Sequence, residues 1–137
     1  PVLVAYGDCL SDIDIQEMVE SHRRQKSLAT VAIAHPTGRN EILALNEQGC
    51  YIGTKQGKKQ KHSWVNACSM EARAFDYLKE NQENHFVLSL MDCLAAHESV
   101  QTYRHEGFWS PVETIRDKTW MENLWAQHKA PWKVWED

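Results

Sequence analysis

No apolar run in the chain approaches the roughly 20 residues that a membrane-spanning helix needs, so a spanning segment is not expected. The first residues, Pro1-Val2-Leu3-Val4-Ala5-Tyr6, have none of the basic region, long apolar core and cleavage site of a secretory signal, and a cytoplasmic location is the expectation. An excess of positive charge is missing as well. The net charge is −4 and the isoelectric point is near 6.0, which gives no general attraction to nucleic acid. Cys9, Cys50, Cys68 and Cys93 are widely spaced, with no C-x-x-C pair and no nearby histidine pair, and so make no zinc motif. They read as four reduced, mostly buried thiols. A P-loop and a G-x-G-x-x-G turn are both absent. The 7 histidines stand in no recognisable nucleophile or metal spacing, and a Ser-His-Asp arrangement cannot be read because such triads have no fixed spacing. There is no internal repeat.

What is present is ordinary globular chemistry. The chain has 137 residues, 42% of them hydrophobic and 25% charged, which excludes a wholly disordered polymer and is enough for one compact domain over residues 1–137. The 6 tryptophans are conspicuous, and four of them fall between Trp109 and Trp132.

The run Val2-Leu3-Val4-Ala5-Tyr6, bounded by Gly7-Asp8, reads as a buried internal strand of the kind found in a parallel sheet. Ser11 with Asp14 resembles a capping box for a helix whose core stripe is Ile15, Met18, Val19 and His22. Leu28 to Ala34 predicts a second strand, stopped by Pro36-Thr37-Gly38. Glu41 to Leu45 and Cys50 to Thr54, separated by Asn46-Glu47-Gln48-Gly49, predict a hairpin. After the lysine patch Gly57-Lys58-Lys59-Gln60-Lys61-His62 come a strand over His62 to Cys68 and a short helix over Glu71 to Lys79. A clearer helix has Val87, Leu90, Met91 and Leu94 on one face. A strand over Ser99 to His105 and a last helix with Met121, Leu124, Trp125 and His128 complete the order. Strands mixed with helices in this way predict an α/β fold with a mixed sheet.

Two segments carry chemistry. Tyr6-Gly7-Asp8 puts a carboxylate at the carboxyl end of a strand, where ligands of open α/β sheets bind. Asp8 there either holds Mg²⁺, which takes one or two carboxylates plus phosphate oxygens, or caps the turn into the next helix. In His105-Glu106-Gly107-Phe108-Trp109 the glycine lets the backbone pass close to a neighbour. Glu113, further on, is either a second metal carboxylate or a favourable charge near a helix amino terminus. The lysine patch reads as a solvated loop or as point charges for phosphate, and the tail tryptophans read as packing residues.

Taken together, these residues resemble the carboxyl-terminal half of the sugar nucleotidyltransferases. Tyr6-Gly7-Asp8-Cys9-Leu10-Ser11-Asp12-Ile13-Asp14-Ile15 is similar to that family's central strand, metal aspartate and following helix. The tail is the more specific match, through His105-Glu106-Gly107-Phe108-Trp109, Thr114-Ile115-Arg116-Asp117-Lys118, Leu124-Trp125 and Lys129-Ala130-Pro131-Trp132-Lys133-Val134-Trp135. It follows the ending of the cytidylyltransferase members. The resemblance implies a partial nucleotide-diphospho-sugar transferase fold, Rossmann-like with a mixed sheet, and an ancestral reaction joining a nucleoside triphosphate to glucose 1-phosphate with Mg²⁺. It implies Asp8 and Glu113 as metal ligands and Lys55, Trp64 and Asn66 as contacts of the sugar phosphate.

Departures from the family pattern stand beside these matches. Glutamate replaces the second metal aspartate at Glu113, Lys55 sits in Thr54-Lys55-Gln56 instead of Glu-Lys-Pro, and Ala67-Cys68 replaces the glycine pair after Asn66. No residue among the 137 takes the role of the family's triphosphate-binding glycine-rich loop, so no catalytic residue is assigned.

Three function classes follow: an inactive half that keeps a sugar-phosphate or metal site, a homo-oligomeric binding or assembly module, or half of a split enzyme completed by a partner chain. A homodimer is expected, with no nucleic acid and no membrane partner. The apolar strand Val2 to Tyr6 and the tail tryptophans are its candidate surfaces.

Overall fold

The structure, a computed structural model, describes residues 1–35, 42–53, 60–77 and 86–137, with side chains throughout except at Ile42, residues 60–64, Asn66 and Phe86. In chain order the elements are β1 (Val2–Ala5), β2 (Cys9–Ser11), α1 (Ile15–Gln25), β3 (Ala29–Ala34), β4 (Ile42–Leu45), β5 (Tyr51–Gly53) and β6 (Gln60–Met70). A 3-10 helix (Ala72–Tyr77), α2 (Phe86–His97), β7 (Val100–Arg104), β8 (Trp109–Pro111) and α3 (Ile115–Ala126) follow. Six strands form one sheet in the order β1-β6-β3-β7-β5-β4, with β4 also pairing to β6. β2 and β8 make a separate two-stranded ribbon.

The sheet is mixed. β1 and β3 are both antiparallel to β6, and β3 is parallel to β7, so β1, β3 and β7 run in one direction. Along β3 and β6 the register slips: Val31 faces Cys68 while Ile33 faces Trp64, so β6 bulges over residues 65–67. The β4–β5 hairpin expected from Asn46-Glu47-Gln48-Gly49 is formed. Asn46 Oδ1 accepts from the backbone N–H of Gln48 at 3.0 Å and of Cys50 at 2.9 Å, and Gly49 takes a positive φ of 82°. This is the turn chemistry that asparagine and glycine favour.

The core lies mainly on one face of the sheet. Leu90, Met91 and Leu94 of α2, Ala74 of the 3-10 helix and Val31, Leu43, Met70 and Val100 of the strands are all buried there. The α2 stripe expected from the sequence is therefore the stripe that packs. The opposite face holds a smaller cluster of Met18, Ala32, Ala34 and Val65 beneath α1.

α1 is fixed to the sheet by a buried polar junction. His22 bonds through Nδ1 to the Thr30 hydroxyl at 2.9 Å and through Nε2 to Glu71 Oε1 at 2.9 Å. Both partners matter because an unpaired buried polar group costs about 1–3 kcal/mol.

Several expectations are corrected. Val2 to Tyr6 is not an internal strand. β1 is an edge strand that pairs only with β6 among the described residues, and Val2 and Leu3 are 42% and 47% exposed. The unbroken apolar run arises because Val4 and Tyr6 pack against the main core while the run from Leu3 to Tyr6 also borders an open groove. Ser11 belongs to β2 and does not cap α1. The cap is Asp14, whose carboxylate accepts from Glu17 N–H at 2.9 Å. Ile15, placed in the core stripe, is half exposed.

The tail tryptophans are less buried than packing residues should be. Trp120, Trp125 and Trp135 are all exposed, although Trp125 stacks on Trp135 at 6.2 Å and Phe108 contacts both Trp120 and Trp132. Of the four free cysteines, only Cys68 is buried.

Candidate functional site

Because β1, β3 and β7 run the same way, their carboxyl ends meet at one end of the sheet, the position that binds ligands in open α/β folds. Three segments leave from there. Tyr6-Gly7-Asp8 follows β1, His35 follows β3, and His105-Glu106-Gly107 follows β7. The antiparallel β1–β6 register ends at Ala5 opposite Ala67, which brings the bulge of β6, with the backbone of Asn66 and Trp64, to the same end. Bulges commonly re-aim side chains beside functional sites.

The β2–β8 ribbon then folds the tail back onto the segment after β1. Cys9 pairs with Pro111 and Ser11 with Trp109. Backbone bonds continue past both ends of the ladder. Val112 N–H donates to Asp8 O at 2.8 Å, and Asp12 N–H donates to Phe108 O at 3.1 Å. Through the first of these bonds Asp8 becomes the backbone neighbour of Val112 and Glu113. The residues expected to hold metal, drawn from opposite ends of the sequence, are thus close along the backbone, Glu113 one residue past the partner of Asp8, and both are exposed.

Glu113 is held from the helix side. The Asp117 carboxylate accepts from the backbone N–H groups of Glu113 and Thr114, each at 3.1 Å, while Thr114 Oγ1 accepts from Asp117 N–H at 3.1 Å. This is a complete capping box at the start of α3. It satisfies otherwise orphaned donors and fixes where Glu113 leaves the ribbon.

A second polar pair braces the ribbon, and sequence reasoning did not assign it. His105 is 7% exposed; its Nε2 lies 2.8 Å from Phe108 O and 3.1 Å from Asp12 Oδ1. A carbonyl only accepts, so Nε2 carries the proton and directs it at Phe108. Asp12 Oδ1 lies beside the same nitrogen but is not its hydrogen-bond acceptor, and it has no hydrogen-bond partner among the described residues. Gly107 passes close to Asp12: a Cβ on it would meet the Asp12 carboxylate and force that side chain to shift. The glycine had marked a close backbone approach in the sequence, but nothing there identified Asp12 as its neighbour.

Cys9, next to Asp8, is held toward its thiol form. Burial raises its thiol to about 11, the Asp8 charge adds to the rise, and a hydrogen bond to the Ser110 backbone partly offsets it. Burial alone raises Cys68 to about 12.

The donor chemistry suits a hard cation in part. Among the described residues no three His, Cys, Asp or Glu side chains cluster as a metal cage. One or two carboxylates are nevertheless the protein share that Mg²⁺ takes when phosphate oxygens supply the rest. Of the residues expected to contact sugar phosphate, Lys55 lies outside the described residues. Trp64 and Asn66 lie in β6 by their backbone, and their side chains also fall outside. No helix among the described residues is long and apolar enough to cross a membrane.

Comparison with known proteins bears on the fold. No family model matches the chain. It is 31% identical over 137 residues to glucose-1-phosphate cytidylyltransferase of Salmonella typhi and 29% identical over 136 residues to that of Salmonella typhimurium. Each match takes in 98% of this chain and 52% of the relative, so the chain spans about half the length of the curated relatives it matches. That coverage is consistent with the carboxyl-terminal half of a nucleotidyltransferase.

Two solved structures share the fold. One, from Bacillus anthracis, is assigned as a glucose-1-phosphate thymidylyltransferase in complex with a sucrose; it superposes with a TM-score of 0.72 at 16% identity, over 98% of this chain and 56% of that one. The other is a UTP-bound UGPase from Acinetobacter baumannii, with a TM-score of 0.67 at 14% identity, over 94% of this chain and 52% of that one. The α/β fold with a mixed sheet is that of half a sugar nucleotidyltransferase.

Proposed function

We propose that these 137 residues form the sugar-phosphate side of a nucleotidyl-transfer site, and that on their own they bind and do not transfer. The observation that supports the reading is the Val112–Asp8 backbone bond, which sets Glu113 one residue past the partner of Asp8 beyond the carboxyl end of β1. Asp8 and Glu113 would hold Mg²⁺ once a substrate phosphate completes its oxygen shell, and the ion would then neutralise phosphate charge. Lys55, Trp64 and Asn66 are the residues we place against the sugar 1-phosphate, on the strength of the family resemblance.

Transfer itself needs donors aimed at the reacting phosphate, and such charge stabilisation is the largest catalytic contribution in this chemistry. No glycine-rich phosphate loop occurs in the sequence to supply it.

The test is a Mn²⁺ titration followed by electron paramagnetic resonance, with and without glucose 1-phosphate. The sugar phosphate should tighten Mn²⁺ binding by about tenfold or more, a coupling of ~1.4 kcal/mol. Asp8→Asn and Glu113→Gln should each remove the tightening. A Mn²⁺ affinity that ignores glucose 1-phosphate would overturn the reading.

A second reading has its own observation. The open, uncharged edge of β1 favours an assembly role in which the chain associates with itself as a homodimer. It is compatible with the first, since the edge and the carboxylates occupy different parts of β1 and its extension.

A further inference from the structure

We infer that His105 is a positioning residue for the metal–phosphate site: it clamps the β2–β8 ribbon to the main sheet and so holds Glu113 in place one residue past the partner of Asp8. The inference rests on the binding reading above and names the residue that keeps the two ends of that site together.

The topology creates the need for a clamp. The ribbon is a sheet of its own, three residue pairs long, and forms no ladder with the six-stranded sheet. Its two strands come from opposite ends of the chain. An isolated pair of strands is marginally stable in water, and closing so long a loop to form it costs entropy.

His105 bridges the two sheets. Its backbone N–H donates to Ile33 O of β3 at 2.8 Å, which ties it to the main sheet. Its side chain is 7% exposed and donates from Nε2 to Phe108 O at 2.8 Å, just before β8. The same carbonyl accepts from Asp12 N–H at 3.1 Å, just past β2. Both strands of the ribbon are thus gathered on one carbonyl that a buried imidazole holds to β3.

The clamp depends on a hydrogen at Nε2, and the surroundings favour one there. Asp12 Oδ1 lies 3.1 Å from that nitrogen, buried and without a hydrogen-bond partner among the described residues. Its negative charge favours the tautomer protonated at Nε2 over the one protonated at Nδ1. Gly107 leaves the carboxylate its place, since a Cβ there would force it to shift. A histidine kept for packing alone would need neither the carbonyl nor the carboxylate.

The other end of the ribbon is the site. There Val112 N–H donates to Asp8 O, and Glu113 leads into the capping box of α3. A unit this short opens as a whole, so release at Phe108 is felt at Val112.

Amide hydrogen exchange and the Mn²⁺ titration, run on the same variants, test this. His105→Phe keeps a ring and removes the donor, whereas His105→Gln offers an amide N–H in place of Nε2. In His105→Phe the Val112 amide should exchange about tenfold faster, while Met91 and Leu94 in α2 keep their rates. The tightening of Mn²⁺ by glucose 1-phosphate should fall below about threefold. His105→Gln should restore both, which recovered packing alone does not do.

Unchanged Val112 exchange in His105→Phe, or an equal acceleration in α2, would overturn the clamp. Faster Val112 exchange with undiminished tightening would overturn the positioning role and leave the binding reading intact. No tightening in an unmodified chain whose Val112 amide is protected would overturn the binding reading, and the positioning role with it. Should His105→Phe fail to fold, His105→Asn, whose amide is too short to reach Phe108 O, takes its place under the same criteria.

Discussion

The two faces of the central sheet are finished to different degrees. One carries a continuous core in which Leu90, Met91 and Leu94 of α2 press on Val31, Leu43, Met70 and Val100 with almost no solvent contact. The other has a four-residue cluster under α1, and beyond it an uncharged groove along β1 that stays open. Both faces are built from the same kinds of side chain. Composition therefore does not separate stability from recognition in this fold; what separates them is whether a helix covers the face. Where α2 and the 3-10 helix lie, apolar residues hold the sheet together. Where only the tail reaches, they are left facing outward, next to the end of the sheet that bears Asp8 and Glu113.

The contrast can be broken most forcefully in the closed face. Leu94 is 0% exposed, and Leu94→Ala should lower unfolding free energy by about 2–5 kcal/mol through lost burial and a residual cavity. Ile15→Ala on the groove wall should cost under about 1 kcal/mol. Urea unfolding of the two variants in parallel checks the difference, and equal losses would mean that the groove is a closed core in solution.

Next in size is the polar junction between α1 and the sheet. His22→Ala removes both hydrogen bonds and leaves the Thr30 hydroxyl, buried at 0% exposure, without its imidazole partner. A loss of about 1–3 kcal/mol is expected in the same assay. Smallest is the cap that positions Glu113. Thr114→Ala should cost about 1 kcal/mol, and it should weaken the glucose 1-phosphate effect on Mn²⁺ in the titration described above, because the capping box fixes the start of α3 beside Glu113.

Much of the closed face was legible in the sequence. The spacing of Val87, Leu90, Met91 and Leu94 identified α2 and its buried side, and Asn46 with Gly49 identified the hairpin, because side-chain period and turn chemistry are local properties. The open face was misread for a physical reason. A continuous apolar run has the same pattern whether both sides are buried or one side lines a groove, so Val2 to Tyr6 looked internal. β2 and β8 escaped notice because three-residue strands are too short to show alternation. The size of the tail tryptophans predicts packing residues, while Trp120, Trp125 and Trp135 pair with other rings near the surface.

The candidate site divides in the same way. Asp8 at a strand end and the close approach at Gly107 could be read locally. That Asp8 touches Val112, and that His105 and Asp12 brace the ribbon, depends on pairing between the two ends of the chain. No local pattern encodes that pairing.

The central claim is that these residues carry the sugar-phosphate side of the chemistry and not the transfer. The most direct measurement is pyrophosphate release from CTP and glucose 1-phosphate with Mg²⁺ and the purified 137-residue chain. The account predicts release no faster than in the absence of protein, for both the unmodified chain and Asp8→Asn. Sustained release by the unmodified chain that Asp8→Asn abolishes would contradict it.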